Sequence, residues 1–181
     1  MSQGFREVAA DDAGGIIPLA NLAGPYSTTA QGSQFICFKG TPPFSPARCG
    51  SVGSVGFPFS FLQVGAVTRD AAGNACATAT RTFAHLSVDA PPPRVLDVHI
   101  VSQVTSYDPA TGTGDDSTTS YSGGACNGPI FDSTGARVTA TSTFHFTASR
   151  EGKRLDFVIT SLTTPVGSIG GFSVSGTELR Q

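Results

Sequence analysis

Gly56-Phe57-Pro58-Phe59-Ser60-Phe61-Leu62-Gln63-Val64-Gly65-Ala66-Val67-Thr68 is followed by Arg69-Asp70-Ala71-Ala72-Gly73-Asn74 and then by Ala75 to Val88. Two runs rich in Phe, Val, Ala and Thr flank a turn-forming cluster, which is the pattern of a β-hairpin. Phe57, Phe59 and Phe61 recur with period 2, so a strand throws all three rings onto one face, and the rest of the chain must cover that face.

Upstream, Tyr26 to Gln31 and Gln34 to Phe38 read as strand pieces separated by a bend at Gly32-Ser33. Residues 1–23 mix Gly, Ala and Asp around Ile16-Ile17-Pro18-Leu19 and predict an irregular N-terminal arm, lying on the body or disordered, with 24–181 as a single domain. Lys39 to Gly56 carries too much Pro, Gly and Ser for a regular element, and loops of that length in compact domains are usually functional. Downstream, Asp89-Ala90-Pro91-Pro92-Pro93 predicts a stiff connector, because consecutive prolines fix φ and remove amide donors.

Arg94 to Tyr107 then alternates, with Leu96, Val98, Ile100, Ser102 and Val104 on one face. Asp116 to Ser122, Val138 to Ala148, Leu155 to Leu162 and Ile169 to Arg180 complete the set, and turns beginning at Asp70, Asp108 and Asp132 connect neighbours as hairpins. No helical period of helix length is present. The reading is all-β: an antiparallel, up-and-down β-barrel of about eight strands, preferred over a sandwich because closure removes both free edges.

The chain has 181 residues, 39% of them apolar, with 13 Phe, enough for one domain with a substantial core. A net charge of -2 with no Lys/Arg cluster argues against a nucleic-acid partner. No apolar run approaches the roughly 20 residues of a membrane-spanning helix. Cys37, Cys49, Cys76 and Cys126 lack zinc-site spacing; their even number favours disulfides Cys37–Cys49 and Cys76–Cys126, the alternative being reduced, buried thiols. The low-Lys, Ser/Thr/Gly-rich composition suggests an exported protein whose signal is absent from this chain, with a cytoplasmic location as the alternative.

Taking the apolar phase as inward places Phe57, Phe59, Phe61, Phe144, Phe146, Phe157 and Phe172 in the lumen as the wall of a binding site for an apolar small molecule. Gln63, Ser142, Ser161 and Glu178 share that phase. A carboxylate among rings has a raised pKa suited to a general acid or an orienting hydrogen bond, whereas a solvated Glu178 near the C-terminus is the competing reading. Gln63 stands just before Gly65, where a bulge would turn it outward. Tyr26, Tyr107 and Tyr121 sit near strand ends, either rimming the mouth or packing on neighbours, and Tyr121 joins Glu178 and Gln63 as a candidate to polarise a substrate. His85, His99 and His145 lie on different strands and do not suggest a metal site. No nucleophile elbow, phosphate loop or dinucleotide motif is present, so no cofactor is expected.

The strand rhythm, the Asp108-Pro109-Ala110-Thr111-Gly112 turn and the closing Val174-Ser175-Gly176-Thr177-Glu178-Leu179-Arg180-Gln181 resemble the allene oxide cyclase type of calycin-like eight-stranded barrel across most of Leu22 to Gln181. That group includes plant cyclases, dirigent-like proteins that steer coupling stereochemistry, and bacterial polyketide cyclases. The resemblance implies cofactor-free cyclisation or isomerisation of a polyketide-, terpenoid- or oxylipin-like guest held in the lumen, although no catalytic residue of the family matches a position here. The alternative is an exported binding or structural barrel whose rings fill the interior, and the volume of the lumen separates the two. A homo-oligomer is compatible with either.

Overall fold

In the computed structural model the described residues are 15–40, 42–85 and 91–181. The first part of the expected arm, Thr41 of the expected loop, and Leu86 to Ala90 of the expected strand end and connector, lie outside them. Ten strands form: β1 (Gly24–Lys39), β2 (Ser54–Arg69), β3 (Asn74–Ala84), β4 (Arg94–Asp108), β5 (Thr113–Ser122), β6 (Ala125–Asn127), β7 (Ile130–Asp132), β8 (Arg137–Ala148), β9 (Arg154–Thr163) and β10 (Ile169–Arg180). Eight of them close an antiparallel barrel in the order β1-β10-β9-β8-β5-β4-β3-β2, and β6 and β7 pair separately as a small hairpin.

β1 is continuous through Gly32, because that glycine has no side chain: a Cβ would stand 1.9 Å from the Ser173 carbonyl oxygen of β10. Gly176 of β10 makes the same kind of space for the Phe157 ring, whose nearest atom would lie 2.4 Å from an added Cβ. These bare backbone sites let a strand curve tightly while large rings cross the lumen.

Two bulges reset the inward phase. In β4 the pairing with β5 slips between Val104 and Ser106, which brings Tyr107 inward to stack on Phe146 at 6.1 Å. In β9 the slip opposite Thr143 and Phe144 leaves Thr160 as the extra residue, so Ser161 faces outward and meets the Thr143 hydroxyl at 2.8 Å. The sequence expectation that Ser161 faces the lumen is therefore corrected; Leu162 takes that place.

One end of the barrel is sealed. Residues 15–23 include a short 3-10 helix, Leu19–Leu22, that packs on the body, with Ile17 and Leu22 buried. The Ile17 amide donates to Pro109 O at 2.8 Å, and the Tyr107 hydroxyl donates to Ile17 O at 2.9 Å. Tyr26 is fully buried, its hydroxyl shared between Gly152 O at 2.7 Å and Leu22 O at 3.0 Å. Leu22, Tyr26, Phe146, Ala148 and Leu155 belong to the same buried cluster, so this part of the arm is an integral plug.

Both expected disulfides are present, Cys37–Cys49 and Cys76–Cys126. The first ties the 40–53 loop to the end of β1. The second fastens the β6–β7 hairpin to the outer face of β3. Among the described residues no helix is long and apolar enough to cross a membrane.

Candidate functional site

The inward faces divide the barrel interior into three levels. Above the plug lies a buried charge cluster: the Arg69 guanidinium at the end of β2 donates to both carboxylate oxygens of Glu178 (Nε–Oε2 3.0 Å, Nη2–Oε1 3.2 Å) and to Asp116 Oδ2 of β5 at 3.0 Å. Burial alone would push the Arg69 guanidinium down, but Glu178 and Asp116 outweigh it and hold it above its ordinary value. Burial raises the Asp116 carboxyl above the usual carboxylate range, an effect that Arg69 and the neighbouring Ser102 only partly offset, and among the described residues no group stands at full hydrogen-bond geometry to Asp116 Oδ1.

The middle level is nearly full. Phe61, Val67, Ala77, Phe144, Phe157 and Ile159 close around a space of only ≈ 60 Å³ that also touches Arg69 and Glu178. The Phe144 and Phe157 rings meet at 5.1 Å.

The upper level, at the end opposite the plug, is a cavity of ≈ 240 Å³. Ile36, Phe38, Phe59, Phe83, Leu96 and Ile169 supply most of its apolar wall, and Pro46 of the 40–53 loop reaches its lining. That loop is held over the mouth by Cys37–Cys49, by the Phe38–Pro46 bridge, and by Phe44, whose ring stands 6.3 Å from Phe38 and 6.0 Å from Phe57. Gln34, Arg81 and Leu162 line both this cavity and the narrow space below, and so form the floor between them.

Arg81 is the chemically unusual member of the floor. Its Nε donates to Gln63 Oε1 at 2.6 Å and its Nη2 to Ser120 Oγ at 2.9 Å, with the Phe61 ring 6.0 Å beneath the guanidinium. Among the described residues no carboxylate pairs with it. Burial lowers the Arg81 guanidinium to about 10, which leaves it charged at neutral pH.

The expected site residues are distributed unequally over this geometry. Phe59 lines the upper cavity; Phe61, Phe144 and Phe157 line the narrow space; Phe146 lies in the core toward the plug. Phe57 packs on Phe44 and His85 at the rim, and Phe172, opposite Gln34, is only partly buried; neither lines the upper cavity or the narrow space below it. Gln63 and Glu178 are buried and inward, but Gln63 holds Arg81 and Glu178 holds Arg69. Tyr121 is not at the mouth: the alternation that turns Asp116, Thr118 and Ser120 inward puts Tyr121 on the outer face, against Phe131 of the β6–β7 hairpin at 4.6 Å. His99 lies under the same Phe131, His145 meets Asp115 at 3.0 Å on the outer surface, and His85 touches Phe57 and Phe59. No group of three His, Cys, Asp or Glu among the described residues could hold a metal.

Comparison with known proteins gives no matching family model, curated protein or solved structure. The site must therefore be read from its own chemistry. A wider depression, ≈ 560 Å³, is an open groove on the outer face across β8, β9, β10 and β1, lined by His145, Thr147, Asp156, Ser175 and Thr177. The upper cavity is smaller but has walls on all sides of the barrel, an apolar lining and a polar floor, the combination that marks small-molecule sites.

Proposed function

We propose that this protein binds an apolar small molecule in the upper cavity of the barrel, with the disulfide-tied 40–53 loop as the edge of its entrance. The observation that carries the reading is the division of the interior: packed rings and a charge cluster fill the lower levels, while the level beneath the loop stays hollow at ≈ 240 Å³. Pockets for drug-sized ligands begin at about 300 Å³, so the guest is small, on the scale of one ring or a short chain. The two disulfides favour an oxidising, exported setting for such a carrier or receptor.

The cyclase or isomerase expectation drawn from the allene oxide cyclase-type resemblance stays attached to this same cavity as the further step. Glu178 is engaged by Arg69 and lies below the floor, Tyr121 is outside the barrel, and Gln63 reaches only the narrow space below, so the groups available to polarise a guest are Arg81 and Gln34. Binding is the reading these positions support best. Titration with the neutral fluorophore N-phenyl-1-naphthylamine tests it: saturable emission enhancement that a small neutral competitor such as 1-octanol reverses is expected, and no saturable signal for any neutral apolar probe would overturn it.

A further inference from the structure

Apolar walls account for affinity but not for the floor. Arg81 sits on the inward face of β3 after Ala75, Ala77 and Ala79, where short side chains leave a long one room to cross the lumen. Two of its three nitrogens are spent on neutral acceptors, Gln63 Oε1 and Ser120 Oγ; Nη1 makes no hydrogen bond among the described residues. Gln34, buried and lining the same floor, likewise makes no side-chain hydrogen bond there. Arg81 is half-buried, and a guanidinium partly withdrawn from water without a counter-charge carries a desolvation cost that an anion in the cavity would relieve. The contrast with Arg69 sharpens the point, since that guanidinium, one level lower in the same lumen, has two carboxylates of its own.

The geometry points to a ligand that is a small amphipathic carboxylic acid, its apolar body against Phe59, Phe83 and Leu96 and its carboxylate on the Arg81 guanidinium with the Gln34 amide beside it. This rests on the proposed binding function and narrows it, because it chooses acids over neutral guests of the same shape. Charge assistance makes the head-group contact stronger than a neutral hydrogen bond, and the surrounding apolar wall keeps competing water out. Arg94 and Asp97, both near the start of β4, stand in the same lining, so their charges offset there and Arg81 remains the cation of the floor.

Competition of octanoate, 1-octanol and acetate against N-phenyl-1-naphthylamine tests the assignment. Octanoate is expected to compete about tenfold or more tightly than 1-octanol, and acetate, which lacks the body, not to compete. Arg81→Gln should remove the advantage of octanoate, read as the ratio of octanoate to 1-octanol competition within the same variant, whatever the change in probe affinity. Arg81→Lys should keep most of the advantage. If Arg81→Gln does not fold, the wild-type Arg81 Nε–H resonance decides, since octanoate should move it and 1-octanol should not. Octanoate no tighter than 1-octanol, or an unmoved Arg81 resonance at saturating octanoate, overturns the carboxylate assignment and leaves the binding function standing. Absence of binding by the probe and both competitors overturns both.

Discussion

Arg69 and Glu178 stand on β2 and β10, with β1 between them, and their side chains join inside the barrel through two hydrogen bonds of 3.0 and 3.2 Å. Because Asp116 of β5 takes the third arm of the same guanidinium, one side chain links opposite walls of the lumen. Removing the cation strands two buried carboxylates. Arg69→Met should therefore cost about 3–5 kcal/mol, measured by urea unfolding. Adding Glu178→Gln and Asp116→Asn should recover a large part of that loss. A single Arg69→Met protein within about 1 kcal/mol of wild type would show that the cluster is not buried as described.

The cluster also fixes a pH dependence. Burial raises the folded-state pKa of Asp116 above its unfolded value, so on acidification the native state takes up this proton before the unfolded chain does. This group's contribution to stability is therefore smallest above the folded pKa and grows as pH falls toward the unfolded value. Asp116→Asn should be at least as stable as wild type at neutral pH, with the difference shifting toward wild type as the pH is lowered to about 4. The comparison isolates Asp116 from exposed turn carboxylates such as Asp70 and Asp108, whose hydrogen bonds lower their pKa values and whose contributions are lost on acidification. A difference that moves toward Asp116→Asn on acidification contradicts the assignment.

The two disulfides should separate in their effects. Cys76–Cys126 spans 50 residues and Cys37–Cys49 spans 12, so the chain-entropy model assigns the first about 4 kcal/mol and the second about 3 kcal/mol. Paired Cys→Ser variants should follow that order in unfolding free energy. Loss of Cys37–Cys49 should also raise hydrogen exchange mainly at 40–53, whereas loss of Cys76–Cys126 should do so at the β6–β7 hairpin. Equal exchange changes throughout the barrel would contradict this local assignment.

The levels of the lumen predict different outcomes for two enlarged rings. Phe144→Trp adds volume where the Phe144 and Phe157 rings already touch, and should destabilise by about 1–3 kcal/mol while leaving neutral-probe affinity within about twofold. Phe83→Trp adds volume in the wall of the hollow level and should weaken the probe about tenfold with little loss of stability. The reverse pattern would move the site down to the middle level.

Much of this architecture is legible in the sequence because period-2 alternation and Asp-Gly turns are local properties. β4 and β10 follow their expected spans, Gln63 and Glu178 keep their inward phase, and the cysteines pair in sequence order as expected. The phase fails at a bulge: Ser161 follows a register slip that depends on the partner strand and leaves no mark in its own segment. Tyr121 lies outside by plain alternation from Asp116, Thr118 and Ser120, so its place near a strand end is no guide to its face. The arginines were hidden differently. Arg69 continues the alternation Phe61, Gln63, Gly65, Val67, and Arg81 continues Ala75, Ala77, Ala79, so strict phase counting places both inside; the expectation that charges face water hides them. The plug, too, is largely non-local, since Ile17 meets Tyr107 and Pro109 and Leu22 joins a cluster with Phe146, Ala148 and Leu155, all far along the chain.

Amide and methyl chemical-shift mapping of the wild-type protein during titration with 1-octanol tests the central claim most directly. Saturable shifts should cluster on Ile36, Phe59, Phe83, Leu96, Leu162 and Ile169 and spare Ile17, Leu22 and the outer groove at Thr147 and Thr177. Shifts confined to that groove, or no saturable shifts, would contradict the account of the upper cavity as the binding site.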